Sequence, residues 1–362
     1  LGSEPSDCRE LAILGNAENR RVTEWLQAAA ELRLPPPKVL PYQLLLEQPE
    51  LLAGLSGYLL RLDSPGQNET VAKSLIALGG GPPSARLEHG EIAYLRSYHQ
   101  GFVRLLRRVA RARIPCLNHP EEVATMFDKW ACHRLFARQG LARPPAYLAP
   151  SSFAELRDQM GPHGRLFLKP LHGSSASGVC ALRWASKRVQ MLAPLRLQNG
   201  RLFNSLRVHS YERLSEIEQI LDRLLPEAMI AERWIPKLAL EGGVVDLRVL
   251  VIAGQARHVV ARQSHHPMTN LHLGNRRGNL EQVRAHLGSE RWQEAICMAQ
   301  RAAACFPRCL YAGVDILLDR WGKALVGEIN AFGDLLPGLT DRGESTSVAI
   351  LRSSRALWRI QP

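Results

Sequence analysis

The sequence predicts an α/β fold: a small N-terminal α/β domain, then two regions that mix helices with paired strands. Three observations carry this. Short apolar runs alternate with helix-period segments over residues 1–119. Beyond residue 120, apolar strands come in hairpin pairs beside single amphipathic helices. The 362 residues, 46% hydrophobic and 22% charged, suffice for two or three domains that each bury a core. The boundaries are drawn at 1–119, 120–228 and 229–362.

In the first region, residues 11–15 read as a buried strand ending in a glycine turn. Residues 20–34 have helical periodicity and stop at three prolines. Val39-Leu40 and residues 58–63 read as further strands. Strands alternating with helices predict a doubly wound arrangement, with ligand contacts at the carboxyl ends of the strands, where Gly15-Asn16 and Asp63-Ser64 fall. Arg61 and Asp63 are candidates for holding a second substrate, weighed against a plain salt bridge.

The second region opens with a helix over 121–140, with glutamate in its first turn and glycine at its end. Residues 166–170 and 179–184 are strands, residues 201–204 a hairpin turn, and residues 214–225 a helix. In the third region, residues 229–235 are extended, 244–254 and 256–263 form a hairpin, 287–305 a helix, and 311–318 with 324–329 a second hairpin.

Composition excludes several classes. No run reaches the roughly 18 apolar residues of a membrane span, and the first residues show no signal-peptide pattern; Leu1 to Glu4 read as a cloning remnant, and a cytoplasmic location is expected. The excess of 46 Lys+Arg over 34 Asp+Glu gives +12. Only seven of the basic residues are lysines, and the tightest group, residues 104–113, reads as the wet side of an amphipathic helix. Without interleaved aromatics to stack bases, nucleic acid is not the expected partner. The seven cysteines have no zinc spacing and read as reduced thiols.

Four segments carry chemistry. A strand delivers Lys169 to a small-residue loop over 172–178, whose amides can approach phosphate oxygens while the lysine supplies a point charge; a mobile hairpin tip is the alternative. Glu328 and Asn330 stand two apart on one strand face, and Asp315 lies on the partner strand. Two carboxylates and an amide oxygen suit Mg²⁺, which shares its ligands with nucleotide phosphates; a buried ion pair with arginine is the competing reading. Asp246 and Arg248 alternate on one strand, where Arg248 can grip a phosphate or carboxylate, or simply join a cross-strand salt bridge. The fourth segment, residues 270–278, is a polar loop after the strand bearing Arg262.

In order along the chain, these pieces resemble the ATP-grasp superfamily over about residues 120–339, closest to the branch of the ribosomal-protein glutamate ligase. The motifs are Gly-Gly-Val-Val-Asp-Leu-Arg-Val at 242–249, Asn-Leu-His at 270–272 and Glu-Ile-Asn at 328–330. The first has one extra residue between the glycines and the aspartate. The resemblance implies a two-lobed fold with nucleotide between the lobes, ATP as cosubstrate, and Mg²⁺, with Mn²⁺ as a substitute. Lys129 and Lys169 would contact phosphates, and Gly173, Ser174, Ser175 and Gly178 would cover them. Glu232, Arg233, Trp234 and Ile235 would form the hinge that reads adenine through backbone groups, with Lys237 or Glu241 near the ribose. Arg248 and Arg262, with Lys169, would serve the transferring phosphoryl group, and Asp315, Glu328 and Asn330 would hold the metal.

The implied reaction activates a small-molecule or peptide carboxylate as an acyl phosphate, which an amine or thiol displaces. Positioning and charge neutralisation suffice for phosphoryl transfer. His265, His266 and His272 are candidate bases for the incoming amine, against the reading of exposed loop histidines. A small-molecule kinase and a non-catalytic nucleotide- or nucleic-acid-binding module are the competing functions. The stretch after Asn330 departs from the glutamate-ligase branch, and its Asp334 is placed to attract an amine.

Overall fold

A computed structural model describes residues 9–85, 87–161, 163–173, 176–185, 188–333 and 336–358. The chain opens with β1 (Glu10–Leu14), α1 (Arg20–Glu31), β2 (Lys38–Leu40), α2 (Tyr42–Glu47), β3 (Tyr58–Leu62), α3 (Glu69–Leu78) and α4 (Leu95–Arg111). The three strands form a parallel sheet in the order β2-β1-β3. Near-continuous burial of β1 and β3 is what a parallel sheet covered on both faces requires. As expected, α4 buries Phe102, Leu105, Leu106 and Val109 and leaves its arginine side outward.

The expected helix over 121–140 is two helices, α5 (Pro120–Met126) and α6 (Lys129–Arg138). The break falls at Phe127-Asp128, because the Asp128 carboxylate accepts the Ala131 amide at 2.8 Å and so starts a new helix. This break puts Lys129 on the first turn of α6. Then follow β4 (Ala146–Leu148), α7 (Phe153–Met160), β5 (His163–Pro170), β6 (Cys180–Ala185), β7 (Arg188–Gln198), β8 (Arg201–Tyr211), α8 (Leu214–Leu224) and β9 (Met229–Arg233). The hairpin turn is Asn199-Gly200, both at positive φ, and residues 201–204 lie inside β8. An Asn-Gly pair between strands is a stronger turn signal than the segment chosen from the sequence.

The central sheet runs β4-β9-β5-β6-β7-β8. Residues 229–233, grouped by sequence with the third region, are therefore hydrogen-bonded between β4 and β5. The last part holds β10 (Ala239–Leu240), β11 (Gly243–Ile252), β12 (Gln255–Ser264), β13 (Arg276–Arg277), α9 (Leu280–Ala304), β14 (Tyr311–Leu318), β15 (Ala324–Asn330), the short pair β16 (Thr340–Asp341) and β17 (Glu344–Ser345), α10 (Thr346–Ser353) and α11 (Arg355–Trp358). The third sheet runs β13-β12-β11-β14-β15, with β10 against β11. The α9 helix begins before the expected residue 287 and carries a kink at Gly288.

Two cores position the site. One joins Leu14, Phe102, Val123 and Phe136 to Leu247, Val249, Val314 and Ile316, so the N-terminal sheet, α5, α6 and the third sheet pack as one body. The other lies under the central sheet, with Leu168, Leu182 and Ala231 against Ile217 and Leu221 of α8. No helix among the described residues is long and apolar enough to cross a membrane.

Candidate active site

Alternation along β11 separates chemistry from core. Leu247 and Val249 face α9, while Asp246 and Arg248 point the other way. Register then brings partners opposite: Asp246 faces Arg262 of β12, Arg248 faces Asp315 of β14, and Asp315 faces Glu328 of β15. A bulge shifts the β14–β15 register between Asp315 and Ile316, so that Gly327 is the extra residue. A side chain there would press on Leu317 Cγ at 3.1 Å. The bulge aims Glu328 and Asn330 into the cleft between the central and third sheets.

The opposite wall carries two lysines. Lys169, on β5, meets Glu232 of β9 at 2.6 Å. Lys129, on α6, reaches the Gly173 carbonyl at 2.5 Å and Glu328 at 3.3 Å, tying the small-residue loop to the third sheet. The space between the walls is about 970 Å³ when its open mouth is included. Phe167, Ile235, Met268 and Leu317 form its apolar part.

Five cations, Lys129, Lys169, Lys237, Arg248 and Arg262, face four carboxylates, Glu232, Asp246, Asp315 and Glu328. Asp246 is the brace: its two oxygens take Arg262 Nε at 2.8 Å and Lys237 Nζ at 2.8 Å, and Thr269 donates to it. Burial would raise the Asp246 carboxyl, but Arg262 and Lys237 hold it well below the usual carboxylate range. Burial lowers Lys237, and Asp246 only partly offsets that. Lys169 is raised, since Glu232 and Glu328 outweigh the burial that acts against its charge. Burial also opposes the Glu328 charge, yet Lys129, Lys169 and Arg248 lower its carboxyl. Arg248 and Arg262 both bind Asp315, the latter at 3.2 Å.

The donor set fits a hard divalent cation. Asp315, Glu328 and Asn330 line the same cleft, Asp315 is paired with both arginines, and Asn330 Nδ2 is buried without a hydrogen-bond partner. Among the described residues no group of three or more His, Cys, Asp and Glu side chains is placed to hold a metal. Two carboxylates and one amide suit an ion that takes its remaining ligands from water and phosphate.

The structure thus brings together Lys129, Lys169, Gly173, Glu232, Arg233, Ile235, Lys237, Arg248, Arg262, Asp315, Glu328 and Asn330 around one cleft. Gly178 sits at positive φ in the loop, behind Ser177. Ser174, Ser175 and Asp334 lie outside the described residues. Trp234 lines a separate outer groove and packs edge-on against Phe167. Its amide, like that of Arg233, is already bonded, to the Arg165 and Pro145 carbonyls respectively, which leaves the hinge carbonyls and the Ile235 amide as the backbone groups that could face a base. Glu241 is exposed at the β10–β11 turn, outside the cleft lining, and only its carbonyl is engaged, by Gln263. His265 and His266 are exposed away from the lining, whereas His272 borders the cleft mouth. Arg61 and Asp63 form a buried pair at 3.2 Å, the salt-bridge reading. Asp246 takes the cross-strand salt bridge that the sequence offered as an alternative on its strand, whereas Thr269 and the apolar wall have no counterpart in the sequence reading.

A family model described as YheC/D like ATP-grasp matches residues 118–333. No curated protein matches the chain in sequence. Solved structures that share its fold include three ligases and synthetases. The ATP-grasp ligase PsnB, complexed with minimal precursor, Mg and ADP, is 14% identical, with 98% of this chain and 99% of that one covered at a TM-score of 0.53. The D-cycloserine synthetase DcsG is 14% identical, covering 96% and 99% at 0.57. The D-alanine–D-alanine ligase from Bacillus anthracis is 12% identical, covering 97% of both at 0.53. The order of the site segments, the lysine pair facing a carboxylate sheet and the family match over more than half of the chain agree: the protein belongs to the YheC/D-like ATP-grasp family.

Proposed function

We propose that this protein is an ATP- and Mg²⁺-dependent ligase that activates a carboxylate as an acyl phosphate and joins it to an amine or thiol, releasing ADP and phosphate. The observation that carries the reading is the facing of Lys129 and Lys169 against Arg248, Arg262, Asp315, Glu328 and Asn330 across one cleft. The fold neighbour PsnB, solved with Mg and ADP, is consistent with it.

Each residue has a physical task. Phe167, Ile235 and Leu317 offer apolar surface for a base. Lys169 and Lys129 hold positive charge at the two sides of the loop, where phosphate oxygens would be neutralised. Asp315, Glu328 and Asn330 would hold a divalent cation, which when bound neutralises phosphate charge and orients the terminal phosphoryl group. Arg248 and Arg262 are fixed in place by Asp315 and Asp246, so their donors are oriented before substrate arrives. Lys129 donates to the Gly173 carbonyl at the start of the loop after β5, and that loop, drawn over the phosphates, would keep water from an acyl phosphate. The chain needs no nucleophilic side chain of its own.

The test is ADP and phosphate release from Mg-ATP with pools of carboxylic acids, amino acids, small peptides and amines, against a control without substrate. Substrate-dependent release of both products is expected. ADP without phosphate would replace the ligase reading with a kinase.

A further inference from the structure

The N-terminal sheet has its topological switch point between β1 and β3. The chain leaves central β1 toward β2 on one side and returns to β3 on the other. Ligands of parallel α/β sheets bind outside the carboxyl ends of strands at such a point. Here the two loops that follow β1 and β3 form one wall of a second part of the cleft, with Asn19, Arg21 and Gly66. The other wall holds Lys129, Glu328 and Asn330 of the site already described.

The amino end of α1 opens into this space without the usual cap. The Val22 amide bonds the Asn19 carbonyl at 2.9 Å, the amides of Arg20 and Arg21 precede the first intrahelical bond, and the Asn19 side chain makes no capping hydrogen bond. The first turn contains no acidic residue. Asn19 is only 8% exposed, it lines the cleft, and its Nδ2 is buried without a hydrogen-bond partner. Arg21 and Arg61 share the carboxylate of Asp63, at 3.3 and 3.2 Å, while Glu18 is held by the Asn68 amide and Glu24 by Arg20. The Arg20 and Arg21 amides at the helix end, the unused Asn19 donor and two guanidiniums sharing the Asp63 carboxylate make an oxyanion site. Asn16 fixes its shape by donating to the Pro65 and Gly66 carbonyls, each at 3.1 Å, which locks the two loops together.

We propose that the α1 amino end, with Asn19 and Arg21, binds an oxyanion at the far end of the substrate whose reacting group lies at the Lys129–Glu328 side. The inference rests on the ligase reading. It narrows the substrate to molecules with a second anionic group, either a carboxylate or a phosphate.

The experiment uses the full chain with saturating Mg-ADP and follows thermal stability and calorimetric binding. The probes are glutarate, glutamate and inorganic phosphate, with glutaramide as the uncharged control and chloride matching ionic strength. At least one anion should raise the melting temperature, and glutaramide should not. A response to glutarate or glutamate identifies a carboxylate end group; a response to phosphate alone identifies a phosphoryl one. Asn19→Asp should weaken that anion at least ~10-fold by like-charge repulsion. It should leave the ligand-free melting temperature unchanged or raised, since a carboxylate suits a helix amino end. The proposal is overturned if no probe anion binds the native chain, or if Asn19→Asp binds it undiminished. Failure of the nucleotide site on which the ligase reading rests is a separate result, the absence of any response to Mg-ADP itself.

Discussion

Glu328→Gln separates the chemistry of the cleft from its stability. The substitution keeps the side-chain volume and removes one negative charge. That charge is fully present near neutral pH, because Lys129, Lys169 and Arg248 outweigh the burial that would raise its carboxyl. The direct partner is Lys129 at 3.3 Å, with the Glu328 side chain 30% exposed. An ion pair of this accessibility is worth ~0–1 kcal/mol, which moves a melting temperature by only a few degrees. The catalytic loss is larger. Removing a charge that orients the divalent cation and phosphates should slow turnover at least ~100-fold, or about 2.7 kcal/mol of barrier. ADP release measured across a magnesium series, beside a thermal melt, reads both quantities. The expected result is slow release at every magnesium concentration from a chain that melts almost normally. Release within about threefold of the native rate would remove Glu328 from the site, and a melting temperature lowered by more than ~10 °C would make its role structural.

Three further outcomes are expected. Lys169→Ala should reduce the Mg-ADP-induced thermal shift, whereas Lys323→Ala, exposed at the β14–β15 turn, should leave it intact; equal behaviour would undo the assignment of the β5 loop. Asp246→Asn should cost about 3–5 kcal/mol by leaving Lys237 and Arg262 without their shared counter-charge, read as a fall of roughly 4–7 °C in melting temperature; an unchanged melt would show that the brace carries no weight. His99 of α4 stacks on His172 at 3.6 Å, and burial, with His172 beside it, lowers its pKa to about 3. The unfolded chain therefore binds a proton below about pH 6.5 that the folded chain refuses, so stability should fall as pH drops from 6.5 toward 3, by up to ~1.4 kcal/mol per pH unit. His99→Phe should flatten that slope, and an identical slope would exclude the pair as its source.

Much of this site was legible because its chemistry is local in sequence. Glu328 and Asn330 share a face by simple alternation, and Lys169 ends a strand before a small-residue loop. Pairing was not legible. Nothing in the sequence tells that β9 lies between β4 and β5, and that register is what sets Glu232 against Lys169. The bulge at Gly327 was equally hidden, since a glycine inside an apolar strand has several readings. Two misreadings had signals at hand. Asp128 before an apolar run was a helix cap, and Asn199-Gly200 was a turn. The Trp234 side chain turns to an outer groove and Glu241 is exposed at the β10–β11 turn, placements that depend on strand pairing rather than on nearness in sequence.

The central claim is that a substrate carboxylate takes the terminal phosphoryl group before the second substrate attacks. It is tested most directly by following oxygen. A carboxylic acid that supports ADP release is labelled with ¹⁸O in its carboxyl group and turned over in unlabelled water with Mg-ATP and the amine or thiol. Attack of the carboxylate on phosphorus, then displacement at carbon, leaves one carboxyl oxygen on the released phosphate. The account predicts one ¹⁸O in each phosphate formed with ADP; ADP formation with unlabelled phosphate would contradict it.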